Sequence, residues 1–107
     1  MLKFMVVLYC RADLSHDQFR THLEHVHAPL AKKLPGVRRY VQNQPAHDPR
    51  RTRPAWDAIV ELYFDDWEAM EAAWASPQGA ASDADLLLFA DMGRTTWSVV
   101  DELNLLP

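Results

Sequence analysis

The sequence is short of the residues that build the commoner kinds of site. It has three glycines and neither a G-x-G-x-x-G nor a P-loop spacing. That excludes the glycine-rich backbone cradles that hold nucleotide phosphates. A single cysteine, Cys10, rules out a disulfide framework, and no cysteine or carboxylate spacing suits a zinc site. No apolar run approaches the roughly 20 residues that a membrane-spanning helix needs, so no membrane is expected. Positive charge is not in excess either. Lysine and arginine number 11 against 15 acidic residues, a net charge of −4. A nucleic-acid binder usually carries a basic surplus to meet the phosphate field. Here basic residues gather only locally, at Lys32-Lys33, Arg38-Arg39 and Arg50-Arg51-Arg53, and nucleic acid is not an expected partner. Internal repeats and low-complexity tracts are absent as well.

What remains is 107 residues, 49 % hydrophobic and 24 % charged, the profile of one globular domain over 1–107. The first ten residues read as a buried strand rather than a signal peptide, because Arg11 and Asp13 follow with no small-residue cleavage site. A cytoplasmic protein is the expectation. Lys3 to Arg11 is apolar on both faces, as in a strand between two layers. Ser15 with Gln18 forms a capping box, and Phe19, Leu23, Val26 and Leu30 then fall at helical spacing. Pro29 predicts a kink near Ala28 or a restart with proline in the first turn, and Pro35-Gly36 ends the helix. Val37 to Gln44 alternates as a strand, and 45–54 is a proline-rich loop. Asp57 to Phe64 is a third strand. Asp65 or Asp66 caps a second helix with a Trp67, Met70, Trp74 stripe, which reads as core. Ser76-Pro77-Gln78-Gly79 interrupts it, a further helical piece runs from about Ser82 to Asp91, and Thr95 to Leu103 is the last strand. The order βαββαβ specifies an α+β, ferredoxin-like antiparallel sheet with helices on one face. Nothing in so short a chain is left to cover the other face. Exposed apolar surface costs about 25 cal/mol per Å², so a homodimer is predicted.

Titratable groups concentrate in His22-Leu23-Glu24-His25-Val26-His27. The H-x-x-H-x-H string suggests a metal, but His25 and His27 lie about 200° apart on a helix, so no metal is expected. His27 flanks the apolar stripe, and a histidine there can act as acid or base near neutrality. The alternative is a packing histidine bonded to a backbone carbonyl. Tyr40 shares a strand face with Arg38 and Gln42; a phenol there can donate to a developing oxyanion, with Arg38 adding positive charge. The alternative is an ordinary strand tyrosine. Glu61, in mid-strand, either orients a histidine or forms an ion pair with Arg38 or Arg39. Trp56 and Trp97 lie on strands and are candidates to line a small-molecule pocket. His47 lies in the loop, where it can swing over such a pocket or stand in solvent.

The pattern Phe19, His27-Ala28-Pro29-Leu30, Leu34-Pro35-Gly36, Tyr40-Val41, Asp57-x-Ile59-x-Glu61-Leu62-x-Phe64-Asp65, Ser76-Pro77 and Asp85 resembles the EthD family. His22-Leu23 departs from the Tyr-Trp pair that members often carry. The resemblance implies a homodimer whose two sheets close into an α/β barrel, with a small-molecule pocket in each subunit. It also implies chemistry without a cofactor. One precedent, a cofactor-free methylisomerase of aromatic breakdown, has a catalytic histidine and tyrosine at the spacing of His27 and Tyr40. The expectation is therefore an isomerase- or lyase-type proton transfer on a lactone, an aromatic catabolite or a polyketide-like compound. Two alternatives stand beside it. One is a non-catalytic binding or accessory protein for a hydrophobic metabolite. The other is a haem-binding or cofactor-free monooxygenase relative, with His27 or His22 as the axial ligand in the haem case.

Overall fold

A computed structural model describes residues 1–106. Four strands, β1 (Leu2–Leu8), β2 (Arg39–Asn43), β3 (Ala58–Phe64) and β4 (Thr96–Val100), form one antiparallel sheet in the order β2-β3-β1-β4. The register sets Val6 opposite both Val60 and Trp97, and Tyr40 opposite Leu62. Side chains alternate across a strand. Phe4, Val6, Leu8, Tyr40, Val60, Leu62 and Trp97 therefore share one face, while Lys3, Met5, Val7, Val41, Ile59 and Glu61 share the other.

Helices α1 (His16–His22), α2 (Ala28–Ala31), α3 (Trp67–Ala75) and α4 (Pro77–Leu86) complete the βαββαβ order. Their buried side chains, including Phe19, Ala31, Met70, Ala73 and Leu86, join Leu23 and the strand residues Val6, Leu8, Val60, Leu62 and Phe64 in a single core. The arrangement is the α+β, ferredoxin-like sheet that the sequence specified. Full burial of each large apolar side chain contributes about 1.5–3 kcal/mol, and Leu8, Leu23, Phe64 and Phe89 are fully enclosed.

Local chemistry sets the helix ends. Ser15 accepts the Gln18 N–H at 3.1 Å and the Gln18 side chain accepts the Ser15 N–H at 2.8 Å, so both halves of the capping box form. Gly36 turns the chain at φ +78°, a conformation that a Cβ would strain. Ser76 behaves differently from expectation. Its hydroxyl accepts the Gly79 N–H and Pro77 stands in the first turn of α4. Serine before proline is a helix start, so α4 begins at Pro77 and ends at Leu86 instead of running from Ser82 to Asp91. Gly79 is required where α3 meets α4: a Cβ there would lie 2.5 Å from the Ala73 carbonyl oxygen. Trp67, placed in the core stripe by spacing, is 54 % exposed, whereas Met70 is buried.

The second sheet face has no helix. Met5, Val7, Val41 and Ile59 are half-buried there. Lys3 and Glu61 pair across β1 and β3 at 2.8 Å, and Glu102 adds a longer contact at 3.3 Å. The Glu61 hydrogen bond is the main cause of a strongly raised Lys3 pKa, and the lysine in turn holds the Glu61 carboxyl below its ordinary range. No helix among the described residues is long and apolar enough to cross a membrane.

Candidate active site

The helix that carries the histidines is not regular. Between α1 and α2, residues Leu23–His27 form a π-helical turn, in which Ala28 N–H bonds the carbonyl of Leu23. Pro29 follows in the first turn of α2, where its missing N–H is tolerated. A π turn closes i→i+5 hydrogen bonds instead of i→i+4, so the face of the helix shifts by one residue. Upstream, Phe19 and Leu23 are buried as their spacing predicts. Downstream, His27, Ala28 and Ala31 are buried, while Val26 is 47 % exposed. His27 therefore sits in the core face itself rather than beside it.

The same shift brings His22 and His27 to one partner. Residues five apart align in a π turn, and both imidazoles reach Asp85 on α4. His22 Nε2 lies 2.9 and 3.0 Å from the two carboxylate oxygens, and His27 Nδ1 lies 2.9 Å from Oδ2. Asp85 and His27 are 6 % and 5 % exposed. Phe89, fully buried, stacks on the His22 ring at 4.5 Å and tilts against His27 at 5.2 Å. Carboxylate oxygens accept, so each imidazole donates the N–H that faces Asp85. For His27 this puts the proton on Nδ1 and leaves the Nε2 lone pair available in the neutral ring. Burial lowers the His27 pKa, with the Asp85 hydrogen bond pulling the other way. A neutral imidazole, held in one tautomer, is the form that accepts a proton.

His27 lines an inner cavity between the helices and the sheet, together with Tyr40, Trp74, Ser82, Asp83 and Trp97, over aliphatic walls from Val6, Leu8, Val60 and Leu62. Its volume is about 20 Å³, room for about one water. Trp74, Asp83, Leu86 and Trp97 also border a wider outer cavity of about 390 Å³, which Phe4 and Met92 complete. Tyr40 Oη accepts the Gln42 Nε2–H at 2.7 Å, and Gln42 also donates to the carbonyl of Leu23 at 3.0 Å. The phenolic O–H is thus left to donate elsewhere. Burial raises the Tyr40 pKa, which keeps it a phenol. Among the described residues, Trp74 Nε1 is the buried side-chain nitrogen without a hydrogen-bond partner, and an unmet buried donor costs on the order of 1–3 kcal/mol.

The structure brings His27, Tyr40 and Trp97 to one cavity and sets the other predicted residues apart. Glu61 lies on the opposite sheet face, because Val60 and Leu62 on either side of it face the helices. It holds Lys3 there and orients no histidine. Arg38 precedes β2 and forms an exposed two-point pair with Asp65 at 3.1 and 2.8 Å, so its charge is spent at the surface. Trp56 lines a different cavity of about 710 Å³ beneath loop 44–57, with His16, Arg20, His47 and Arg53. Buried Asp57 fixes that loop by accepting from the Cys10 N–H at 2.7 Å and from Arg53 at 3.1 Å. His25 stands in solvent, 3.7 Å from Glu24. Asp85 carried no assigned role in the sequence. Its one signal was its place in the pattern that resembles the EthD family; the structure adds that it is buried, and a buried carboxylate requires partners.

Comparison with known proteins agrees with this architecture. The model of the EthD domain matches residues 11–93. An uncharacterized protein from the thcB–thcC intergenic region of Rhodococcus erythropolis is 32 % identical over 89 residues, 83 % of this chain and 84 % of that protein. The crystal structure of an ethyl tert-butyl ether degradation (EthD) family protein from Bacillus halodurans superposes with a TM-score of 0.79 at 28 % identity, covering 96 % of this chain and all of the other. SnoaB of Streptomyces nogalater, described as a cofactor-independent oxygenase, superposes at 0.68 with 13 % identity, covering 99 % of this chain and 96 % of that one; at that identity the likeness speaks for the fold. The chain belongs to the EthD family.

Proposed function

We propose that this protein is a cofactor-independent enzyme that moves a proton on a small, ring-derived molecule. The reaction is of isomerase or lyase type, and a lactone, an aromatic catabolite or a polyketide-like compound is the substrate class. The supporting observation is the buried His27–Asp85 pair, which fixes the imidazole tautomer and leaves Nε2 as a base beside the inner cavity. Nε2 takes a proton from an acidic carbon, and the electron pair moves onto the neighbouring carbonyl oxygen. Tyr40 O–H donates a hydrogen bond to that oxyanion. Return of the proton to a second atom completes an isomerisation; departure of a group from the adjacent carbon completes an elimination. A positioned base of this kind supplies about 10²–10⁴ in rate. The description of the SnoaB neighbour as a cofactor-independent oxygenase supports cofactor-free chemistry on this fold.

2-Tetralone tests the reading, because its benzylic C1–H is acidic and its exchange in D₂O is read directly by proton NMR. The protein should accelerate exchange at C1. His27→Gln should remove the acceleration while the circular dichroism spectrum stays native. Binding without accelerated exchange would leave a ligand-carrying role and end the catalytic one.

A further inference from the structure

We propose that Trp74 orients the ligand, and that the ligand is a neutral aromatic carbonyl compound whose oxygen accepts the indole Nε1–H. The inference rests on the catalytic reading of the same cavity and narrows its substrate. Its first support is the unpartnered Trp74 Nε1, buried on a side chain that borders both the inner cavity and the outer one. A donor of this kind finds its acceptor where the cavity admits one.

The balance of hydrogen-bonding groups points the same way. Tyr40 O–H and Trp74 N–H are two donors, and His27 Nε2 is one acceptor. A carbonyl oxygen has two lone pairs for two donors, and the acidic C–H next to it needs one base. When His27 takes that proton, the C–H bond breaks, a C=C bond forms, and the negative charge settles on the oxygen held by the two donors. Both donors then bind the enolate more strongly than the ketone, as a group that promotes the reaction must.

Charge excludes a carboxylate ligand. Neither cavity is lined by lysine or arginine, and Arg38, the cation that the sequence proposed for the site, is held at the surface by Asp65. Asp83 borders both cavities and Asp85 lies behind His27. A carboxylate ligand beside Asp83 would meet a like charge, which is unfavourable. The ring belongs among aromatic walls. Phe4 and Trp74 pack at 5.3 Å, and Trp97, 42 % exposed on β4, stands where the two volumes meet. A bicyclic ring fits the outer volume of about 390 Å³, with its oxygen directed inward past Trp97.

Three probes separate the parts of the proposal: 2-tetralone, the hydrocarbon tetralin, and the carboxylate 2-naphthoate. Binding is followed through the indole Nε1–H signals of the four tryptophans, with Trp74 identified by its loss in Trp74→Phe. 2-Tetralone should move the Trp74 signal downfield, tetralin should not, and 2-naphthoate should bind at least about tenfold more weakly than the ketone. Trp74→Phe keeps the ring and removes the donor. It should weaken 2-tetralone by about two- to tenfold and leave tetralin unchanged. An unmoved Trp74 signal at saturating 2-tetralone would assign the donor to a resident water and overturn the proposal. Equal ketone affinity in Trp74→Phe, equal affinity for 2-naphthoate, or no binding up to the solubility limit would overturn it too. If Trp74→Phe does not fold, the Trp74 signal is assigned by elimination from Trp56→Phe, Trp67→Phe and Trp97→Phe, and its movement in the wild type decides. A shifted Trp74 signal without C1 exchange keeps this proposal's binding mode and refutes catalysis; His27-dependent exchange with an unmoved signal does the reverse.

Discussion

His22 and His27 stand five residues apart on one helix and hydrogen-bond the same carboxylate, Asp85, each at 2.9 Å. In a regular α-helix, positions five apart diverge by about 140°. The π-helical turn between them closes much of that divergence, and His27 enters the cavity wall with Nδ1 bonded to Asp85. The irregularity of the helix is thus what assembles the site.

A π turn is one residue more than the α-helix needs, so removing one residue from it should be tolerated. We expect deletion of exposed His25 to relax Leu23–His27 to α-helix, with the buried positions on either side still in register. Deletion of Glu71 from the regular α3 rotates everything downstream by about 100° and should unfold the protein. Thermal melting compares the two. Equal loss in both deletions would show that the π turn is not a relaxed insertion.

Asp85→Asn replaces two acceptor oxygens by one acceptor and one donor, which forces one imidazole into the other tautomer. We expect a loss of about 1.5–3 kcal/mol in urea unfolding, the range for hydrogen bonds to charged groups. Tetralone exchange should fall about 10²-fold or more. Asp83→Asn, on an exposed side chain, should stay within about 0.5 kcal/mol of wild type. A wild-type exchange rate in Asp85→Asn would separate Asp85 from any role in positioning the base.

The His27 imidazole titrates below its ordinary value of about 6.5, because burial disfavours the cation. On acidification the unfolded chain therefore takes up this proton before the folded one does. The stability contributed by neutral His27 is full above about pH 6.5 and is lost as the pH falls through the depressed folded value. Melting temperatures from pH 8 to pH 5 should decline in that window, and less steeply in His27→Gln. An identical slope in the variant would remove His27 as the cause.

The open sheet face leaves Met5, Val7, Val41 and Ile59 without a covering layer, and we propose that a second copy of the chain covers it. Light scattering should give twice the chain mass. Val41→Glu should shift the protein to monomer, since an unpaired carboxylate on the covered face costs several kcal/mol. A wild-type monomer at micromolar concentration would reject the proposed homodimer.

Local signals were legible where the chemistry is local. The Ser15–Gln18 capping box, the Pro35-Gly36 turn and the alternation of β2 each depend on residues within a few positions of one another. Ser76-Pro77 is equally local and reads as an interruption, but the hydroxyl bond to Gly79 makes it the start of α4. Strand parity placed Glu61 with Ile59 and Tyr63, yet parity does not say which face the helices cover. Only packing put Val60 and Leu62 inside and left Glu61 with Lys3.

The site divides along the same line. The sequence by itself determined the four strands, the helix begun by Ser15, the helix capped by Asp66, the break at Pro29, and the presence of His27 and Tyr40 on either side of a turn, because hydrogen bonding and side-chain periodicity act over short spans. It could not set the phase of the helix after Leu23, since an α turn and a π turn use the same residues and differ only in which face then meets the sheet. Nor could it join Asp85 to histidines 58 and 63 residues away. Those pairings exist only once the core packs α4 against the histidine helix, and burial of Asp85 then requires a hydrogen-bond donor on each side.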